Sequence, residues 1–166
     1  GEQARLVRAF NVLRQYDEDQ ALPAWEQLSG YLLPGGLLVE GTSTPSGALW
    51  AANILRRGST GLRQEALVFF TNFRQGFDPG DFQAILPKNY IHRVLPGEPI
   101  GEFFNAWKIA AAETSAVQAW GPRQWYRAAA RRLAERGYRI NLHPGWLSRG
   151  WMIWSDPAGA PQTAAG

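Results

Sequence analysis

The stretch Leu33-Pro34-Gly35-Gly36-Leu37-Leu38-Val39-Glu40-Gly41-Thr42 decides how this chain is read. Before it, the apolar residues Leu22, Trp25, Leu28, Tyr31 and Leu32 recur at helical spacing from Ala21 onward. Pro23 falls in the first turn, where a missing N–H costs nothing, and Asp17-Glu18-Asp19 sits where the helix dipole favours negative charge. Pro34-Gly35-Gly36 stops that pattern, and Leu37-Leu38-Val39-Glu40 follows as a short apolar strand ended by Gly41-Thr42-Ser43. Upstream, residues 5–12 hold Leu6, Val7, Phe10 and Val12, the apolar content of a mostly buried strand. Strand, helix, sharp turn and strand make a βαβ unit, which implies parallel pairing.

Downstream the pattern changes. Residues 48–57 and 67–74 read as extended segments around the polar turn Gly58-Ser59-Thr60-Gly61, hence a β-hairpin. Gly76, Pro79 and Gly80 break the chain, and residues 81–85 begin a short helix ending near Pro87. Ile100, Phe103, Phe104, Trp107, Ala111 and Thr114 then share one helical face. Gly121-Pro122 separates that helix from a second, over 122–136, with Tyr126, Ala129, Ala130 and Leu133 on one side and Arg127, Arg131 and Glu135 on the other. Gly137 is placed to end it. Residues 138–142 and 150–155, joined through Pro144-Gly145, read as a terminal antiparallel strand pair, and 157–166 as a disordered tail of mostly small residues.

Length and composition bound the possibilities. With 166 residues, 45% of them hydrophobic, and 8 Trp and 8 Phe, the chain suffices for one packed core, read as one domain over 1–156. There is no cysteine, which excludes disulfides and thiolate metal sites, and the two histidines, His92 and His143, argue against a histidine-rich metal centre. No apolar run approaches the roughly 20 residues of a membrane helix. Residues 1–19 lack the basic start and apolar stretch of a secretory signal, so a cytoplasmic, membrane-free protein is expected. The net charge of +3 is small, and the arginines concentrated over 123–139 read as a solvated helix face. No interleaved basic–aromatic motif points to nucleic acid.

The segment Asn11-Val12-Leu13-Arg14-Gln15-Tyr16 after a strand, followed by a helix and Leu33-Pro34-Gly35-Gly36-Leu37-Leu38-Val39-Glu40, resembles the class I S-adenosylmethionine-dependent methyltransferases. In that family the fourth strand often ends in an Asn-Val-Leu-like segment, and a Leu-x-Pro-Gly-Gly turn leads into the fifth. Leu86-Pro87-Lys88-Asn89-Tyr90-Ile91-His92-Arg93 with Pro96-Gly97 looks like a feature of bacterial members. The resemblance implies an α/β, Rossmann-like methyltransferase fold in part. It would comprise a parallel strand pair, an inserted β-hairpin, two helices and a closing antiparallel strand pair. The family's cofactor turn contains Gly-x-Gly, yet none of the 18 glycines here lies two positions from another. The resemblance therefore covers only the C-terminal half of the family domain, and the initial Gly1 agrees with the expectation of a truncated chain.

The same resemblance implies S-adenosylmethionine as cofactor, with Asn11, Val12 and Leu13 beside it at the carboxyl end of a parallel strand, where open α/β sheets bind ligands. Asn11 has a second reading as a turn cap. Arg14, Gln15, Tyr16, Thr42, Lys88 and Arg93 are the candidates for substrate contact. His92 and Glu40 are candidates for a general base. For Glu40 the reading as the structural partner of an arginine such as Arg14 comes first, since a carboxylate leaving a hydrophobic strand usually finds a cation. No metal is required. The acceptor cannot be read, and a chain without the glycine turn should bind the cofactor weakly and be inactive in isolation. The alternative reading is a non-catalytic assembly module that uses the exposed strand edge at 5–12 to dimerise or to complement a separate N-terminal half.

Overall fold

A computed structural model describes residues 3–157. Its centre is a five-stranded mixed sheet in the order β1 (Ala4–Phe10), β2 (Leu32–Ser43), β3 (Leu49–Gly58), β4 (Gly61–Thr71) and β5 (Trp151–Ser155). β1 and β2 pair in parallel through α1 (Ala21–Ser29), and every other neighbouring pair is antiparallel. The expected βαβ unit and hairpin are therefore present. After β4 come a 3-10 segment (Pro79–Ile85), α2 (Pro99–Glu113), α3 (Pro122–Glu135) and the short α4 (Pro144–Ser148). Among the described residues no helix is long and apolar enough to cross a membrane.

The sheet is packed on one side. Register partners share a face, so Ala9, Leu38, Leu55 and Leu62 point the same way as Ala51, Leu67, Phe69, Met152 and Trp154. The first group forms a hydrophobic cluster with Trp25 of α1. The second packs against Phe103, Phe104 and Trp107 of α2 and Tyr126, Ala129 and Leu133 of α3. Phe69 sits at the middle, stacked on Phe103 at 5.4 Å and edge-on to Phe82. These helices form where the 3.6-residue spacing of their apolar residues matches a flat apolar sheet.

The opposite face carries Phe10, Trp50, Phe70 and Trp151, none of which belongs to either buried cluster. They contact one another instead: Trp50 stacks on Phe70 at 5.1 Å, and meets Phe10 at 5.6 Å and Trp151 at 4.8 Å edge-on. Arg8 lies over the Phe10 ring at 4.5 Å. β1 is an outer strand, and Leu6 on it is 57% exposed.

Three expectations need correction. The first helix ends at Ser29, and Pro34-Gly35-Gly36 is a looped-out part of β2, not the turn between helix and strand. Ala4 faces Leu32 while Leu6 faces Leu37, so β2 bulges between them. Leu32 is fully buried, and anchoring it in the core ends the helical path early. Gly35 takes a positive φ of 78°, and Arg56 and Arg57 of β3 donate to the Gly35 and Leu32 carbonyls, which gives the loop's backbone its partners. Second, the closing strand pair is reduced to a single bridge, Ile140 to Trp154, on the edge of β5 that β4 leaves free, and α4 fills the intervening turn. Third, Pro157 is buried, while the rest of the expected tail lies outside the described residues.

Gly41 shows why a glycine stands in the middle of β2. A Cβ there would lie 2.4 Å from the Ala51 carbonyl oxygen and 2.6 Å from the Ala52 Cβ, both fixed by the β2–β3 ladder. Gly41→Ala should therefore lower the urea-unfolding free energy by about 1–3 kcal/mol, with an unchanged denaturant slope.

Candidate functional site

The parallel strands β1 and β2 end side by side, and their ends are tied together. Asn11 leaves β1 with φ 60°, a left-handed conformation that asparagine tolerates better than most residues. Its backbone N–H donates to the Gly41 carbonyl at 2.8 Å. Its side-chain Nδ2 donates to Ser43 Oγ at 3.0 Å, and its Oδ1 accepts from the Ser43 N–H at 3.0 Å. The side chain thus ties the ends of β1 and β2 together and does not cap the turn that follows, which has no side-chain cap. Val12 is exposed and Leu13 is buried in the α1 cluster. Of the three positions expected at the cofactor, one side chain is occupied in a clamp, one is in the core and one faces outward. These residues offer one wall to a ligand; they do not fit a cradle for S-adenosylmethionine.

Beside the clamp, a cavity of about 160 Å³ is lined by Arg14, Thr42, Leu86, Lys88, Ile91 and His92. Four of the residues singled out from sequence, Arg14, Thr42, Lys88 and His92, meet here although they come from three separate segments. Gln15 and Tyr16 are exposed and do not line it. Arg93 turns away to an ion pair with Glu18 at 3.2 Å. Larger cavities occur elsewhere, one of about 330 Å³ along α2 between Val94 and Lys108, but none of the residues singled out for chemistry lines it.

On the same face of the sheet as Thr42, two residues before it on β2, begins a buried polar chain that sequence reasoning missed. Asn53 of β3 is Glu40's register partner, and its Nδ2 donates to Glu40 Oε2 and to Asn89 Oδ1, both at 2.9 Å. Gln64 of β4 donates from Nε2 to Asn53 Oδ1 at 2.8 Å, and accepts on Oε1 from the Tyr90 hydroxyl at 3.0 Å. Burial pushes the Tyr90 phenol up to about 12, so it remains a donor throughout the physiological range. The bonds to Asn89 and Tyr90 pin the loop that carries Lys88, Ile91 and His92 over the sheet. The readable signal was polar residues at inward strand positions, Asn53 amid Ala51, Ala52 and Leu55, and Gln64 between Leu62 and Ala66.

Glu40 is 2% exposed and does not line the cavity, so a base role would need another access route. No arginine pairs with it among the described residues; its hydrogen-bond partner is Asn53. Burial raises its pKa to about 7, offset in part by the Asn53 bond and by the nearby Trp25 indole. The indole acts at longer range: Trp25 Nε1 is buried without a partner at hydrogen-bond distance, as is Asn89 Nδ2.

This carboxyl makes stability pH-dependent. Below about pH 4.5 the native and unfolded states both hold the proton. Between there and pH 7 the native state keeps a proton that the unfolded chain releases. Stability supplied by the buried neutral carboxyl should fall by up to about 3 kcal/mol as pH rises through that window. Glu40→Gln should flatten this part of the curve and make the chain more stable than wild type at pH 8, as read by chemical unfolding at successive pH values.

Comparison with protein-family models, with curated proteins and with solved structures found no match.

Proposed function

We propose that the chain is the acceptor-side part of an S-adenosylmethionine-dependent methyltransferase domain. The observation that carries this is the meeting of Arg14, Thr42, Lys88 and His92 in one cavity at the carboxyl ends of the parallel pair β1–β2. Ligands of open α/β sheets bind at such strand ends. Methyl transfer is an in-line displacement in which the acceptor's nucleophile bonds to the methyl carbon as the carbon–sulfur bond breaks. The protein's contribution is alignment and removal of the acceptor's proton. In this reading Lys88, Arg14 and Thr42 hold the acceptor, and the His92 imidazole is the side chain at the cavity assigned as general base. The cofactor cradle is not assigned to the described residues, because Asn11 and Leu13 are otherwise engaged.

A second reading, a non-catalytic assembly module, is favoured by a different observation. β1 is a free sheet edge, and beside it lies the aromatic face of Phe10, Trp50, Phe70 and Trp151. A unit that adds a strand to β1 and lays a helix on that face would complete the sheet on both sides.

Calorimetric titration with S-adenosylmethionine separates the two. The methyltransferase reading expects weak but saturable heat from the chain. No saturable heat, together with a concentration-dependent dimer in sedimentation, overturns that reading and leaves the assembly module standing.

A further inference from the structure

The cavity at the ends of β1 and β2 has a chemical character of its own. Three cationic or protonatable side chains, Arg14, Lys88 and His92, converge on it. None of them has an ion-pair or hydrogen-bonding partner among the described residues. The neighbouring acidic residue Glu18 is committed to Arg93. Like charges gathered without counter-charge raise the local positive potential, and the low-dielectric walls of Leu86 and Ile91 strengthen it.

A second, independent feature points into the same space. Thr42 is 4% exposed and lines the cavity. Its hydroxyl has no hydrogen-bond partner among the described residues, yet it is not sealed away from solvent-sized contact. A threonine hydroxyl held in the sheet with a free donor is suited to an incoming acceptor atom. The volume, about 160 Å³, equals about five waters of liquid, well short of the roughly 300 Å³ at which pockets begin to enclose whole ligands.

We propose that this cavity is an oxyanion subsite. It takes the carboxylate or phosphate end of a small organic acceptor, with Thr42 donating at the floor, Lys88 and Arg14 neutralising the charge, and Leu86 and Ile91 covering a short apolar stem. The proposal deepens the methyl-acceptor reading and rests on it only for the ligand's role. Anion binding is measurable without any cofactor, so the two fail separately.

The test uses the full chain with isotope-labelled amides and three probes at constant ionic strength: inorganic phosphate, butyrate and chloride. Phosphate and butyrate should shift the amide signals of Thr42, Ile91 and His92 saturably, and chloride should not. Stronger response to one of the two identifies which oxyanion the subsite prefers. Lys88→Ala and Arg14→Ala, both outside the core, should each weaken binding about tenfold, the size expected for loss of one charge-assisted contact. Thr42→Val keeps the side-chain shape and should weaken it as well. Arg127→Ala, on the far face of α3, should change nothing. Equal shifts with chloride, no saturation, or equal loss in the Arg127 variant would each overturn the proposal.

Discussion

Asn53 sits in the middle of the sheet with both amide hydrogens and its carbonyl spoken for, by Glu40 and Asn89 on one side and Gln64 on the other. Each partner belongs to a different segment, so the bonds hold β2, β3, β4 and the 86–93 loop in a single register. Buried amides left unmatched cost about 1–3 kcal/mol apiece, so slippage of any one strand would penalise several groups together. The placement of Lys88 and His92 follows from this chain of bonds, because the residues between them, Asn89 and Tyr90, are its outer links.

The polar chain also divides the core. On the covered face, the α1 cluster around Trp25 and the α2–α3 cluster around Phe69 lie on either side of the Glu40–Asn53–Gln64 line. An all-apolar seam would pack as well and resist unfolding better at alkaline pH, since a buried carboxyl near neutrality is a stability cost. A costly group close to a cavity that gathers Lys88 and His92 fits a general pattern, since functional sites concentrate perturbed titrations.

Much of this was legible in the chain itself. Strict apolar periodicity announced α2 and α3, and Gly58-Ser59-Thr60-Gly61 announced the hairpin. The parallel β1–β2 pair followed from the helix between two short strands. Pro34-Gly35-Gly36 misled because a turn signal says where the chain bends, not which elements flank the bend. Leu32, read as the last helical residue, is instead the first of a strand, and at the boundary the two periods cannot be told apart. Arg14, Thr42, Lys88 and His92 were each visible as candidates, but their meeting depends on the loop that Asn53 and Gln64 anchor. That link joins residues 26 or more positions apart, and nothing local reveals it.

The two sides of the sheet also differ in what light would report. Trp25 and Trp107 are buried under helices, and Trp154 is stacked on Phe103 at 4.1 Å. Trp50 and Trp151 stand half-buried on the uncovered side, with Trp146 5.8 Å from Trp151. Indole emission moves to shorter wavelength as water leaves the ring. The uncovered face therefore carries its own fluorophores: whatever settles there, a helix, a second chain or a lipid, would announce itself by a blue shift with no label attached.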